Sequence, residues 1–283
     1  MIDILAGRSR VAVALFAALS VGAATLPPRV HAVLADAFSG LVAAERGFAA
    51  DAGRLGIGPA FLTHVAADGI LLRPAPVPAR PALSADKNDP GVVLEWQPAT
   101  ALIARSADFG VTTGPYRLAV GGKVSHGQFL TVWVRDRGGL WHWFLDHGLP
   151  PAPGDIAGGL PQRVERLATG KGARSADPAQ ADDRFNDAVL RREADAQVAV
   201  LAADGRLLRA QRDPILSAQA KTALGEDATA TSIARLGMRV SRTGDLGVTY
   251  GKIAVMGSAK EEVYVRIWRR EATGWRLVID ERT

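Results

Sequence analysis

The chain contains no cysteine. Disulfides, thiol nucleophiles, Cys-ligated zinc and lipoprotein acylation are therefore excluded. The redox compartment stays open, because a cysteine-free chain folds in either. Lysine is scarce as well: 28 of the 34 basic residues are arginine, for a formal net charge of +5. These arginines are scattered and interleaved with acids, whereas nucleic-acid binders gather their charge into a patch or stripe, so no nucleic-acid partner is expected. Common catalytic signatures are missing. There is no G-x-S-x-G elbow. GIGPAF (Gly56–Phe61) has two glycines of a dinucleotide fingerprint but no strand before it, and TGKGA (Thr169–Ala173) has no Ser or Thr after its lysine. No cofactor is implied.

What is present begins with a leader-like segment. Arg8 and Arg10 precede the apolar run Val11–Leu26, and PPRVHA follows, with small residues at Val30 and Ala32. That is the order of a secretory signal peptide, and the run is shorter than the ~20 residues a spanning helix needs. Residues 1–32 are read as a signal peptide, which predicts a periplasmic or secreted protein with no membrane attachment after cleavage. An uncleaved anchor is the alternative.

From Leu34 to Ala52 apolar residues recur at helical spacing, and Gly53, Gly56 and Gly58-Pro59 break the pattern before a second helix near Pro59–Ala67. Strand patterns follow at Ile70–Arg73, Val92–Gln97, Ala101–Ser106, Gly110–Leu118, His126–Asp136 and Leu140–His147, with the proline-rich Pro74–Pro81 as a loop or edge segment. Helices followed by hairpin-linked strands predict an α+β fold with a curved, mainly antiparallel sheet.

The pattern then restarts. AADGILLR at Ala66–Arg73 returns as AADGRLLR at Ala202–Arg209, DFGVTTG at Asp108–Gly114 as DLGVTYG at Asp245–Gly251, and the segment Val132–Asp146 as Ile267–Asp280. Three echoes in the same order, at nearly constant offset, indicate tandem duplication. The predicted organisation is a first domain at 33–148, a Pro/Gly-rich linker at 149–181, with a short element at Gln162–Ala168 and a helix starting after Pro178, and a diverged second domain at 182–283.

The order helix, helix, DG, short strand, GVTxG, W-x-R strand and W-x-x-x-x-D terminal strand resembles the nuclear transport factor 2-like superfamily, and within it SnoaL-like domains of a branch without assigned function. The resemblance implies two cone-shaped domains, each with helices packed on a curved, mainly antiparallel sheet around a pocket. It implies a small-molecule ligand, and pairing through the sheets as an intramolecular pseudo-dimer or a homodimer. Members include isomerases, cyclases, dehydratases and non-enzymatic binding domains, so the fold leaves function open. The isomerase-type aspartate, on the strand after the second helix, matches Arg73, which cannot accept a proton.

Six residues of the first copy are candidates. Arg73 could clamp an anion or pair with an internal acid such as Glu95 or Asp146. Trp96 and His126 are candidate ligand contacts. Trp133 is either core or ligand contact, on a face shared with Phe129 and Thr131. His142 and Asp146, placed on one strand face by alternation, form either a general-base pair or a structural hydrogen bond, with His147 on the other face. Histidines on opposite faces make a poor ligand set, so no metal is expected. The second copy has no histidine and no counterpart of Trp96, so the pocket is expected in the first. Three functions remain: a pocket for a small, partly apolar ligand, neutral or anionic, an acid–base enzyme of the SnoaL-like type, or an interaction module.

Overall fold

The computed structural model describes residues 28–283 except 74, 86–88, 90 and 172–176, with side chains from Ala32 onward. Most of the leader-like segment lies outside those residues. Helix α1 (Pro28–Leu55) buries Leu34, Ala37, Leu41, Phe48 and Ala52 at 3–4 residue spacing, which is why it packs through one stripe. Gly56, at φ 90°, turns the chain into α2 (Ile57–His64).

The first unit continues through β1 (Val65–Arg73), β2 (Ala75–Pro78), α3 (Ala79–Ala85), β3 (Val92–Trp96), β4 (Thr100–Ile103), β5 (Phe109–Val120), β6 (Lys123–Arg135) and β7 (Trp141–Gly148), with β8 (Ala152–Pro153) and β9 (Glu165–Arg166) beyond. The sheet order is β2-β1-β7-β6-β5-β4-β9, with β3 also on β5 and β8 also on β6. All pairings are antiparallel except β1 with β7 and β4 with β9. The proline-rich segment takes the edge form: Ala75–Pro78 make the edge strand β2, because an edge strand tolerates prolines that donate no hydrogen bond, and α3, which was not expected, starts at Ala79. The segment read as a linker is partly strand: β8 and β9 are hydrogen-bonded into the first sheet.

The second unit repeats the plan with α4 (Ala179–Leu190), α5 (Ala194–Ala199), β10 (Leu201–Arg209), β11 (Ile215–Leu216), α6 (Ala220–Glu226), β12 (Ala230–Val240), β13 (Leu246–Val255), β14 (Glu262–Glu271) and β15 (Gly274–Arg282). Its order, β11-β10-β15-β14-β13-β12, matches the first, with the parallel pair β10–β15 in the place of β1–β7. Both units are α+β, with helices against a mainly antiparallel sheet.

The repeated AADG has a local reason. In β1 the register to β7 slips between Val65 and Ile70, and in β10 the register to β15 slips between Leu201 and Arg206. The AADG tetrad is that irregularity in each unit. A Cβ on Gly69 would collide with the Val65 side chain and lie 3.2 Å from the Ala66 carbonyl oxygen; one on Gly205 would sit 2.9 Å from the Ala202 oxygen and 3.0 Å from the Leu277 oxygen. Gly205→Ala is therefore expected to lower stability by about 1–3 kcal/mol, read as a shift in urea midpoint at unchanged slope.

The faces of the two sheets opposite the helices share one apolar cluster, which holds Leu130, Val132 and Leu145 together with Val265, Ile267 and Ile279. At its margin equivalent residues meet. Arg105 N donates to Asp245 Oδ2 (2.9 Å) while Arg242 N donates to Asp108 Oδ2 (3.4 Å), and Thr243 Oγ1 donates to Ser106 Oγ (3.0 Å). His147 and Glu281, which also occupy matching positions, hydrogen-bond to each other. Reciprocal contacts of this kind are those of a two-fold interface. The repeated aspartates of DFGVT and DLGVT are thus explained, since each caps the turn of the other unit.

Candidate functional site

The opposite, helix-facing surface of each sheet carries the chemistry. Glu45 of α1 stands between Leu41 and Phe48 on the buried stripe and is fully enclosed. Its Oε1 accepts from Trp96 Nε1 (2.6 Å), and its Oε2 accepts from Trp133 Nε1 (2.9 Å) and from the Thr112 hydroxyl. Burial pushes the Glu45 carboxyl above its usual range, against these donors.

Asp146 of β7 lies on the same surface. Its Oδ2 accepts from Thr131 Oγ1 (2.8 Å). Burial first, and then the nearby Glu45 carboxyl, push its pKa up to about 7. Asp146 and Gly148 line a cavity of about 280 Å³ whose other walls are Phe61, Leu94, Trp96, Tyr116, Leu118 and Phe129. The Tyr116 hydroxyl is committed to the Leu149 carbonyl (2.5 Å), and burial raises its pKa to about 12. One carboxyl is therefore the principal polar group on an otherwise apolar and aromatic wall.

The second unit fills the corresponding space. Asp182 of α4 takes the place of Glu45, and Thr249 that of Thr112; Trp268 Nε1 donates to Thr249 Oγ1 at 2.9 Å, as Trp133 does to Thr112. By register, Thr131 faces Thr112 and Asp146, and Arg266 faces Thr249 and Asp280. The Arg266 guanidinium bridges the two acids, with Nη1 to Asp182 Oδ1 and Nε to Asp280 Oδ1 both at 2.9 Å. It lies 4.0 Å from the Tyr264 ring centroid and 4.5 Å from that of Phe185. Arg209 adds a second cation on Asp280 Oδ2 (2.7 Å). Burial opposes ionisation of Asp280, yet the two arginines outweigh it and hold its pKa below the ordinary value.

Of the residues singled out from the sequence, Trp96 and Asp146 line the cavity. Trp133 lies beneath it, fully buried and bonded to Glu45 and Thr112. The other three lie elsewhere. Arg73 is exposed at the end of β1. His126 lies at the far end of β6, with Nδ1 2.9 Å from the Gly154 carbonyl oxygen. His142 contacts Asp136 at 3.3 Å. The expected His142–Asp146 pair does not form, for a definite reason. Val132 pairs with Leu145 and Trp133 with Trp143, so Phe144 is an extra residue in β7. This bulge moves every residue beyond it to the other face. Asp146 then turns inward beside Thr131, while His142 and His147 share the outer face. β15 carries the same bulge at Val278.

Glu45, Thr131 and the apolar walls were missed. A signal for Glu45 was available: an acid at position i+4 from Leu41 and i−3 from Phe48, inside an apolar stripe, is a charge placed where burial is expected.

No family model matches the chain, and no curated protein matches it. Solved structures do. Several of the solved structures this chain is similar to are described as NTF2-like. A protein of Thiobacillus denitrificans described as a calcium/calmodulin-dependent protein kinase type II association domain is 19% identical, with 37% of this chain and 92% of that chain covered at a TM-score of 0.32. A protein of unknown function from the DUF3225 family of Pectobacterium atrosepticum is 15% identical, with 38% and 87% covered at 0.34. A Streptomyces avermitilis protein assigned as a dehydratase of the NTF2-like family is 13% identical, with 37% and 90% covered at 0.32. Each match spans about the length of one unit.

Proposed function

We propose that the chain is an exported binding protein whose first unit holds a small, largely apolar molecule against Asp146, and whose second unit is a structural partner. The observation that carries this reading is the contrast between the two inner faces. One has a cavity with a single carboxyl on an aromatic wall, the general form of a small-molecule site. The other has its acids neutralised by Arg266 and Arg209. The leader-like segment supports export. The test is uptake of phenethyl alcohol, followed by amide chemical shifts of Phe129 and Gly148 in the chain from Val33. Shifts that saturate, and that are lost in Leu118→Trp, where the indole fills the cavity, are expected. Saturation unchanged by that substitution overturns the reading.

Acid–base catalysis has one specific observation in its favour. A carboxyl with a pKa near 7 can both donate and accept a proton at neutral pH. The residue concerned is Asp146 in the company of Glu45, in place of the His142–Asp146 pair.

A further inference from the structure

The second unit shows what its inner acids hold when they are fully satisfied: a guanidinium, gripped at both ends by carboxylates and lying against two aromatic rings. The first unit keeps most of that setting. Glu45 stands where Asp182 does, Asp146 where Asp280 does, Phe129 where Tyr264 does and Phe48 where Phe185 does. The cation has been replaced by Thr131, whose single hydroxyl proton goes to Asp146 Oδ2. The cavity adjoins that position: Asp146 and Phe129 are on its wall, while Glu45, Thr131 and Phe48 lie behind it, fully buried.

We propose that the first unit's cavity takes a small organic cation, an ammonium or amidinium on an apolar body, with Asp146 as its counter-ion. The proposal rests on the pocket reading above and adds the charge of the ligand. An anion would face Asp146 and, behind it, Glu45, with Thr131 unable to offset either. A neutral ligand would leave the two acids as they are. A cation supplies what Arg266 supplies in the other unit. The aromatic walls add to this, since Trp96, Phe61 and Phe129 line the cavity and aromatic rings attract cations. The charges acting most on Asp146 agree with this: Glu45 and Glu281 raise its pKa, and His147 lowers it. An added cation would act in the same direction as His147.

The experiment compares three probes with one ring and a two-carbon arm: phenethylammonium, phenethyl alcohol and phenylacetate. Dissociation constants are read at pH 8 from the Phe129 and Gly148 amide shifts of the chain from Val33. Phenethylammonium is expected to bind at least about tenfold more tightly than the alcohol, because its ion pair with Asp146 is charge-assisted and partly shielded from water, and phenylacetate least. Asp146→Asn, close to isosteric, is expected to remove that preference, so that the ammonium-to-alcohol ratio falls to about one. Thr131→Arg, which installs the second unit's guanidinium, is expected to exclude phenethylammonium. Should Thr131→Arg fail to fold, the Asp146→Asn comparison still decides. If the alcohol binds as tightly as the ammonium, or if the preference survives Asp146→Asn, the charge assignment is wrong while the pocket stands. If none of the three binds, or if Leu118→Trp changes nothing, the pocket reading falls and takes this one with it.

Discussion

Replacing Arg266 by alanine is expected to cost about 3–5 kcal/mol, enough to remove much of the stability of a typical domain. The side chain is 1% exposed and holds Asp182, Asp280 and the Asn186 side-chain oxygen (2.6 Å) at once. Its removal leaves the buried Asp182 carboxylate on α4 with the more distant Arg235 (3.4 Å) and the Thr249 and Tyr264 hydroxyls, and weakens the charge balance of Asp280 on β15. The energy resides in what is left unpaired more than in the ion pairs themselves. A specific rescue follows. In the Arg266→Met, Asp182→Asn, Asp280→Asn triple variant no unpaired charge is left in the centre of the cluster, and most of the lost stability should return. Urea unfolding of the three proteins measures this. If Arg266→Ala costs under about 1 kcal/mol, the cluster is wetter than its enclosure indicates.

The duplicated plan was legible because its cause is local. AADG and the DFGVT turn recur as sequence since each meets a backbone constraint, a close approach at Gly69 and Gly205 and a reciprocal cap at Asp108 and Asp245. Helical spacing in α1 likewise reports one buried face, and alternation in β6 separates two faces, both of them buried. The candidate site was less legible, and alternation itself is the reason. Counting by twos from His142 puts it on one face with Asp146, but one extra residue at Phe144 separates them, and nothing about Phe144 marks it as a bulge. The exchange of Arg266 for Thr131 was visible in the aligned copies. Its meaning was not, because a strand position acquires chemistry only from what packs over it, here Glu45 or Asp182 on a helix far away in sequence. Proline content left this segment legible only as a loop or an edge strand, because an edge relaxes the requirement that ordinarily keeps proline out of sheets, and it hid α3.

Asp146→Asn carries the second large effect, and its sign depends on pH. The ordinary aspartate value is 3.8, and the folded protein raises it to about 7, mainly by burial and then through Glu45. The folded state therefore holds this proton more firmly than the unfolded chain does. Its stabilising contribution is complete below about pH 4, falls as pH rises from about 4 to about 7, and is gone above that. At about 1.4 kcal/mol per pH unit, the span amounts to about 4 kcal/mol. Asparagine stays neutral throughout and can still accept from Thr131, so it should match the wild type at pH 4 and exceed it by up to about 4 kcal/mol at pH 8. Acids held low by arginine, Asp280 among them, give stability the opposite slope, so the quantity to follow is the difference between the two proteins in urea unfolding at each pH. A difference that grows between pH 4 and pH 7 and then levels identifies Asp146 as the group responsible. A difference that stays flat means that the carboxyl ionises freely in the cavity, as a well-solvated aspartate would. A stabilising Asp146→Asn would also show that this carboxyl is kept at the expense of the fold, the usual position of a functional group in a protein that could do without it structurally.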